Sequence, residues 1–276
     1  MIRVGVSGWL YPPWRGTFYP QGLPHKEELP YLARQVNTVE INGTFYSLQR
    51  PASFQTWFTR TPDDFVFAVK GPRFITHMKQ LRDTETPLAN FFASGVLALK
   101  HKLGPVLWQL PPRLRFDPER LTEFFGLLPR TTRAAAALAK RHDEKLKTDP
   151  WLKPGPQRRL RHAVEVRHPS FESAECTALL REHDIALVFA DTAGKFPNPR
   201  EDTADFFYLR LHGDKELYAS GYSDKALDDW AATIHERRHK DIYVYFDNDM
   251  KVKAPGDART LAAKLNLGSW GVGGGG

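Results

Sequence analysis

Cysteine and long apolar segments are the features that this sequence has least of. Cys176 is the only cysteine among 276 residues, so no internal disulfide bond can form, and its helical context predicts a buried small side chain rather than a nucleophile. No apolar run approaches the roughly 20 residues that a helix needs to cross a bilayer. The first residues resemble a strand and not a signal peptide, so we expect a cytoplasmic protein that does not enter a membrane.

Glycine-rich phosphate-binding motifs are also absent from the sequence. No dinucleotide fingerprint follows the first predicted strand, and Gly213 and Gly221 flank a loop without a Walker pattern. Ser7 and Gly8 lack the flanking residues of a nucleophile elbow, so Ser7 is interpreted as a turn residue or a phosphate contact. We therefore expect no nucleotide cofactor.

Positive charge is in excess, but it is concentrated in one segment. The chain has a formal net charge of +7, and residues 130–161 alone hold ten Lys or Arg against three acidic residues, so the remainder is neutral. Such a segment either contacts the phosphates of a nucleic acid or forms a solvated arm, and the solvated arm is favoured. Its alanine-rich part, residues 134–139, favours a helix.

Eight short apolar segments alternate with helical patterns along the chain. The predicted strands are residues 2–6, 38–42, 65–70, 105–110, 162–167, 186–190, 206–211 and 242–246. The predicted helices are residues 26–35, 51–60, 87–100, 118–129, 173–183, 223–238 and 257–265. This alternation predicts an α/β fold, a single (β/α)8 TIM-type barrel over residues 1–267 with a basic helical insert (residues 130–161) before strand five. The glycine-rich tail, residues 268–276, is predicted to be disordered.

The segment from Arg161 to Pro169 shows how one of these strands distributes its side chains. With a period of two, Val164 and Val166 fall on one face while Glu165 falls on the other. Two further strands repeat this alternation, so three charged strand faces are predicted to meet in one polar pocket. The residues on these faces are Glu40, Asn42, Glu165, Arg167, Arg210 and His212.

More polar residues stand at the carboxyl ends of the predicted strands, where parallel barrels carry their active sites. They are Ser7, Lys70, Gln109, Asp191 and Asn248. The loop after the first strand adds aromatic residues, which are predicted to form both a local core and a stacking wall with Trp9 nearest the pocket. These aromatic residues are Trp9, Tyr11, Trp14, Phe18 and Tyr19.

Several motifs taken together resemble the YecE-like family, which is catalogued as a domain of unknown function. The resemblance covers residues 4–265. The motifs include Gly5-Val6-Ser7-Gly8-Trp9, Val39-Glu40-Ile41-Asn42, Leu107-Trp108-Gln109-Leu110-Pro111-Pro112, Glu165-Val166-Arg167-His168-Pro169, Leu209-Arg210-Leu211-His212-Gly213 and Tyr245-Phe246-Asp247-Asn248-Asp249. The resemblance implies a TIM-type barrel and supplies no established reaction.

The charged residues predict a pocket for an anionic, phosphate-containing ligand. Lys70, Arg167 and Arg210 would neutralise an oxyanion, while a glutamate acts as general base and a histidine as general acid. The predicted catalytic residues are Glu40, Lys70, Glu165 and His212. The residues predicted to bind the ligand are Trp9, Asn42, Tyr46, His77, Gln109, Arg167, Arg210 and Asn248.

Hydrolysis or isomerisation would follow, with a phosphate-bearing small molecule or a nucleic acid as partner. Replacing Arg210 with alanine is expected to abolish ligand binding with little loss of fold. A structural alternative is that the charged residues pair with one another and fill the barrel interior as a satisfied network. The residues of that network would be Glu40, Glu165, Arg167 and Arg210.

Three other functional interpretations stay open. A divalent metal could bind at the rim, although the cations there compete with it. Its candidate ligands are His77, His168, His212, Glu40, Glu165, Asp191, Asp247 and Asp249. A glycoside hydrolase would use Glu40 and Glu165 as paired carboxylates. A nucleic-acid-binding protein without turnover would stack bases on aromatic side chains, namely Trp9, Tyr11, Tyr46 and Tyr222.

Overall fold

Short runs of β-branched and aromatic residues form the central sheet of this computed structural model, which describes residues 1–268. Such runs are apolar on both faces because a parallel sheet is covered on each side. The strands are β1 (Ile2–Ser7), β2 (Thr38–Ile41), β3 (Val66–Lys70), β4 (Leu103–Gln109), β5 (His162–Glu165), β6 (Ile185–Leu187), β7 (Phe189–Asp191), β8 (Phe206–Leu211) and β9 (Asp241–Phe246). All neighbouring pairs are parallel. The tail predicted to be disordered lies outside the described residues from residue 269 onward.

The sheet closes through a strand that is divided in two. Its order is β6-β5-β4-β3-β2-β1-β9-β8-β7, and β6 and β7 follow each other in the chain with only Val188 between them. The first half pairs with β5 and the second half with β8, while the Val188 amide donates to the Val164 carbonyl at 2.9 Å. The predicted strand at 186–190 is therefore two short strands, and together they complete the eight-position TIM-type barrel that the sequence predicts.

Helices cover the outside of the barrel and connect its strands. They are α1 (His25–Ala33), α2 (Gly43–Tyr46), α3 (Pro51–Thr59), α4 (Glu85–Ala93), α5 (Pro118–Leu127), α6 (Thr132–Ala139), α7 (Ala174–Glu182), α8 (Asp224–Glu236) and α9 (Ala254–Lys264). Side-chain oxygens cap several of them, as when Ser223 accepts from the Ala226 amide and Ser173 from the Cys176 amide. The first turns of α3 and α5 each hold a proline, which is well tolerated there because the first turn needs no amide donor.

The predicted helix at 87–100 is wrong in its second half. The α-helix α4 ends at Ala93, and a separate 3-10 segment, Val96–Lys102, follows it. Gly95 separates the two because its φ of 119° lies in the left-handed region, which favours glycine. A methyl group at Gly95 would also lie 2.6 Å from the backbone of Pro51, so no other residue fits this turn.

Side chains alternate between two apolar clusters along each barrel strand. Val164 and Val166 belong to the outer cluster between the sheet and the helices, as predicted. Ala163 belongs to a smaller inner cluster that fills the barrel, together with Tyr208 and Tyr245. Towards the carboxyl ends of the strands the inward-facing side chains are charged. The polar pocket therefore lies at that end of the barrel.

The insert at residues 130–161 is attached to the barrel although most of its charge is exposed. Its α6 confirms the predicted helix, and Asp143 accepts a hydrogen bond of 2.7 Å from Asn90 on α4. Arg159 and Arg161 pair with aspartates beside the amino ends of the strands, including Asp205. Seven of the ten basic side chains are exposed. The solvated-arm interpretation therefore describes only part of the insert.

The single cysteine and the short apolar runs of the sequence both have counterparts in the structure. Cys176 is 1% exposed, and burial raises the pKa of its thiol to about 12, so it is the buried small side chain that its context predicts. In the part of the chain that the structure describes, no helix is both long enough and apolar enough to cross a membrane.

Candidate functional site

A cavity of about 770 Å³ opens at the carboxyl ends of the barrel strands. Its lining comes from the segments that follow β1, β2, β3, β4, β5, β8 and β9 and from the last residues of β2, β3 and β4, as expected for a parallel barrel. The structure brings together seven of the predicted site residues in this lining, namely Trp9, Asn42, Tyr46, Lys70, His77, Gln109 and Arg167.

Four other predicted site residues lie one layer below the cavity. Glu40, Glu165, Arg210 and His212 are each 0% exposed. They are not part of the cavity lining, so a ligand in the cavity does not touch them. This layer is the floor network, which we define as these four residues together with Asp247.

Arg210 holds the floor network together. Its guanidinium donates to Glu40 Oε1 at 2.8 Å, to Glu165 Oε2 at 2.5 Å and to Asp247 Oδ2 at 2.9 Å. Burial opposes the charged form, but the three carboxylates outweigh it and hold the pKa of Arg210 well above its usual value. A planar guanidinium with five donors suits this position better than an ammonium would.

Each glutamate of the floor network has further donors. Glu40 accepts from Tyr208 Oη at 2.6 Å and from Ser7 Oγ at 2.8 Å. Glu165 accepts from Gln109 Nε2 at 2.9 Å and from Arg167 Nε at 2.8 Å. Ser7 is therefore a support for Glu40 rather than a turn residue or a phosphate contact.

Glu165 is held ionised by its neighbours. Burial alone would raise the pKa of Glu165, but the charges of Arg167 and Arg210 outweigh it and hold the pKa well below its usual value. A carboxylate that accepts this many hydrogen bonds is a weak proton acceptor. The structural alternative, a satisfied network inside the barrel, thus describes the floor, and Arg167 reaches into it from the cavity lining.

The glycoside hydrolase interpretation does not fit this geometry. Paired carboxylates must flank the sugar bond that they cleave. Glu40 and Glu165 instead bind the same guanidinium, which occupies the space between them. Because both glutamates are also fully buried, a sugar cannot enter between them.

Asp247 and Asp249 are the carboxylates that a ligand in the cavity would meet. Burial would raise the pKa of Asp247, but Arg210 and a contact of 3.0 Å with His212 Nδ1 lower it to about 2. For Asp249, burial and the charge of Asp247 raise the pKa to about 6. Two neighbouring carboxyl groups with such different pKa values provide a permanent anion and a group that exchanges protons near neutral pH. From the sequence both residues were predicted only as metal ligands.

Lys70 is the most deeply buried cation of the cavity lining. Its side chain is 7% exposed, and its ammonium lies 4.2 Å from the centre of the Phe45 ring. Burial and the charge of Arg210 lower its pKa to about 8. Within residues 1–268 no carboxylate oxygen lies within 4.0 Å of this ammonium, whereas Arg167 and Arg210 are both paired.

Two arginines that the sequence analysis missed stand at the rim of the cavity. Arg73 and Arg113 are exposed, and in the described part of the chain neither has a carboxylate within 4.0 Å. Arg113 donates to the His77 carbonyl at 2.9 Å. Burial and the charge of Lys70 lower the pKa of His77 to about 4, so its ring is neutral at pH 7. Both arginines lie in loops after strands, where no alternation pattern marks them.

The aromatic loop is both a local core and part of the cavity wall, as predicted. Trp14 and Tyr19 are buried in the local core, whereas Trp9 and Tyr11 line the cavity. Trp57 from α3, which the sequence analysis missed, packs edge-on against Trp9 with 5.3 Å between ring centres. The cavity lining therefore combines aromatic side chains with cations.

The structure does not bring Asn248, Asp191 or Tyr222 to the cavity. The Asn248 amide donates to Asp257 at 2.7 Å and to the Ser220 carbonyl at 2.9 Å, behind the barrel rim. The Tyr222 hydroxyl donates to Asp191 at 3.1 Å. Asn248 therefore lies outside the cavity lining in which a ligand is predicted, and the Tyr222 ring is buried.

The candidate metal ligands do not converge in the described residues. Among residues 1–268 no group of three or more His, Cys, Asp or Glu side chains is arranged to hold a metal ion. His168, one of the candidates, caps a short 3-10 segment by accepting from the Ser170 amide at 3.1 Å.

A TIM-type barrel with a charged pocket at the carboxyl ends of its strands is the class of protein that the fold and the site define. Within this class the chain belongs to the family described as protein of unknown function DUF72, whose model matches residues 3–272. The family expected from the sequence motifs is thus confirmed.

Named relatives and solved structures agree with this assignment. The UPF0759 protein YecE of Escherichia coli K12 is 30% identical over 171 residues, which is 62% of this chain and only 50% of that protein. The UPF0759 protein YunF of Bacillus subtilis is 26% identical over 97% of this chain and 95% of its own length. A DUF72 family protein of Thermotoga maritima has a TM-score of 0.76 at 27% identity, covering 96% of this chain and 99% of that one.

Proposed function

We propose that the cavity binds an anionic, phosphate-containing ligand. The observation that carries this proposal is the unpaired positive charge of the lining. Of the four lining cations only Arg167 is paired with a carboxylate, whereas Lys70, Arg73 and Arg113 have none within 4.0 Å in residues 1–268. Phosphate oxygens are strong acceptors for such groups, and arginine binds them through two parallel hydrogen bonds.

The charge balance of the site supports an anionic ligand. In the floor network and its neighbours, the cations Lys70, Arg167 and Arg210 match three carboxylates. The two rim arginines add positive charge, and Asp249 offsets it only when ionised, that is, above its pKa of about 6. A cleft with surplus charge of one sign attracts ligands of the other sign.

Hydrolysis or isomerisation in this cavity would depend on groups that reach the ligand. Asp247 and Asp249 line the cavity, and Lys70 with the arginines would stabilise negative charge that develops on a phosphate. We assign proton transfer to Asp249, because a group with a pKa near the working pH exchanges protons most efficiently. In this proposal Glu40, Glu165 and His212 orient the lining from below.

Thermal unfolding in the presence of phosphate compounds tests the proposal. The probes are pyrophosphate and a panel of sugar phosphates, with the unphosphorylated sugars as ligand controls. The test variant is Arg73→Gln/Arg113→Gln, and Arg133→Gln is the matched control because Arg133 is an exposed arginine of α6 outside the cavity.

We expect pyrophosphate to raise the melting temperature of the wild type and of Arg133→Gln equally. The double variant should bind at least tenfold more weakly, because each charge-assisted hydrogen bond contributes about 1.5–3 kcal/mol. If no phosphate compound stabilises the wild type, or if the double variant binds as tightly, the proposal is wrong.

A further inference from the structure

The cavity offers two different environments to the two ends of a ligand. Arg73 and Arg113 are exposed at the rim, whereas Lys70 is the most deeply buried cation of the lining and is 7% exposed. A ligand whose phosphate binds the rim arginines would occupy the same cavity that the Lys70 side chain lines. The chemistry of that amine therefore determines which ligand fits.

The surroundings of Lys70 make its amine easier to deprotonate than that of an ordinary lysine. Burial and the adjacent Arg210 lower its pKa to about 8, and in residues 1–268 no carboxylate oxygen lies within 4.0 Å of its Nζ to stabilise the ammonium. At pH 8 about half of Lys70 would be unprotonated, roughly 100-fold more than for a lysine with an ordinary pKa. Desolvation beside a second cation is one of the ways in which proteins make lysine nucleophilic.

We propose that Lys70 forms an imine with the carbonyl group of a phosphorylated aldehyde or ketone. This inference rests on the proposed function, because the rim arginines hold the phosphate. The Nζ lone pair forms a C–N bond with the carbonyl carbon, and the carbonyl oxygen takes up two protons and leaves as water when the C=N bond forms. The positive charge of the ammonium is retained on the iminium, so no oxidant or reductant is required.

Other lining groups suit the chemistry that an iminium permits. An iminium withdraws electrons and makes the neighbouring C–H bond more acidic, so a proton acceptor near it can start isomerisation or carbon–carbon bond cleavage. Asp247 and Asp249 line the same cavity, and Asp249 has a pKa of about 6. The inference thus favours reactions at the carbon beside the carbonyl over hydrolysis of the phosphate ester.

Reductive trapping tests the inference on the wild-type protein. Glyceraldehyde 3-phosphate is added together with sodium cyanoborohydride, which reduces an iminium to a stable secondary amine much faster than it reduces the free aldehyde, and peptide mass mapping locates the adduct. We expect one main adduct at Lys70, formed at least tenfold faster than at the exposed Lys140 in the same sample. The trapping rate should rise with pH with a midpoint near 8, and pyrophosphate should suppress it.

Two controls separate the amine from the phosphate site. Unphosphorylated glyceraldehyde should react at least tenfold more slowly with Lys70 in the wild type. Lys70→Arg removes the amine, so position 70 should give no adduct while the exposed Lys140 of the same variant still reacts. A cooperative thermal transition of Lys70→Arg without ligand reports that the variant is folded.

The outcomes distinguish the two proposals. If pyrophosphate does not bind the wild type, the proposed function fails. If pyrophosphate binds but trapping modifies exposed lysines as fast as Lys70, or if an adduct at Lys70 forms equally fast without the phosphate group, the imine inference alone is overturned. Because mapping uses the wild type, this conclusion does not depend on the stability of a variant.

Discussion

At the scale of single residues, Arg210 and Lys70 divide the positive charge of the site into a structural part and a free part. Arg210 is fully buried and binds three carboxylates. Lys70 has no carboxylate partner within 4.0 Å in the described chain and faces the cavity. A buried charge is tolerated when it is paired, so Arg210 serves the fold while Lys70 is available to a ligand.

Arg210→Ala should destabilise the protein strongly, contrary to the sequence-based expectation of little loss of fold. Removing the guanidinium leaves Glu40, Glu165 and Asp247 buried without their shared cation. We expect this loss to lower the free energy of unfolding by about 3–5 kcal/mol. Urea unfolding monitored by tryptophan fluorescence measures the change. Arg133→Ala, at an exposed position, serves as the control and should change the free energy of unfolding by less than about 0.5 kcal/mol. An Arg210→Ala protein as stable as this control would show that the floor network is not structural.

Asp249 should make stability depend on pH in a defined direction. Its pKa is raised in the folded protein to about 6 from an ordinary value of 3.8, so the folded state keeps a proton that the unfolded state has lost. Stability therefore falls as pH rises through this window, and Asp249→Asn removes the fall. The free energy of unfolding of Asp249→Asn relative to wild type should increase between pH 4 and pH 7 and then level off. A difference that is constant over this range would contradict the assignment.

At the scale of secondary structure, close contact between neighbouring strands sets the barrel. Gly5 in β1 faces the Thr38 carbonyl of β2, and a methyl group at Gly5 would lie 1.9 Å from that oxygen. Backbone atoms cannot move aside as a flexible side chain can. Gly126 in α5 is the opposite case, because a methyl group there meets no atom within 4 Å.

Gly5→Ala and Gly126→Ala should therefore change stability in opposite directions. Gly5→Ala forces β1 and β2 apart and should cost about 1–3 kcal/mol or more. Gly126→Ala should stabilise the protein by up to about 1 kcal/mol, because alanine is the better helix former. Melting temperatures of the two variants and of the wild type provide the test. A Gly5→Ala protein as stable as the wild type would mean that the strands tolerate a methyl group at Gly5.

The strands could be predicted because their alternation is local information. The charged strand faces of β2, β5 and β8 follow from a period of two, and all three point into the barrel. The position of each side chain along the barrel axis could not be predicted, since it depends on the stagger between neighbouring strands. For this reason Glu40 and Arg210 were expected to meet a ligand but lie below the cavity. Similarly, the break at Val188 depends on which neighbour each half of the strand pairs with, and no residue marks it.

At the scale of the whole molecule, positive charge lies in two separate regions, the cavity lining and the insert. The insert at 130–161 holds the excess formal charge, yet none of its residues lines the main cavity. Its exposed charges are screened over about 8–10 Å at physiological salt. We therefore expect the cavity to select a ligand and the insert to add only a general surface charge.

Neutralising the insert should leave the cavity unaffected. The triple variant Arg133→Gln/Lys140→Gln/Lys147→Gln removes three exposed charges of the insert. Its affinity for pyrophosphate, measured by calorimetry, should stay within about twofold of the wild type at physiological salt, because the screening length is shorter than a domain. A tenfold loss would place phosphate binding on the insert and favour the nucleic-acid interpretation.

The most direct test of the central claim is a crystal structure of the wild-type protein with pyrophosphate. We expect a phosphate group at the carboxyl ends of the barrel strands, hydrogen-bonded to Arg73 and Arg113 at the cavity rim, with the floor network unchanged below it. Pyrophosphate bound on the insert, or an empty cavity at a concentration that saturates binding in solution, would show that the cavity is not the phosphate site.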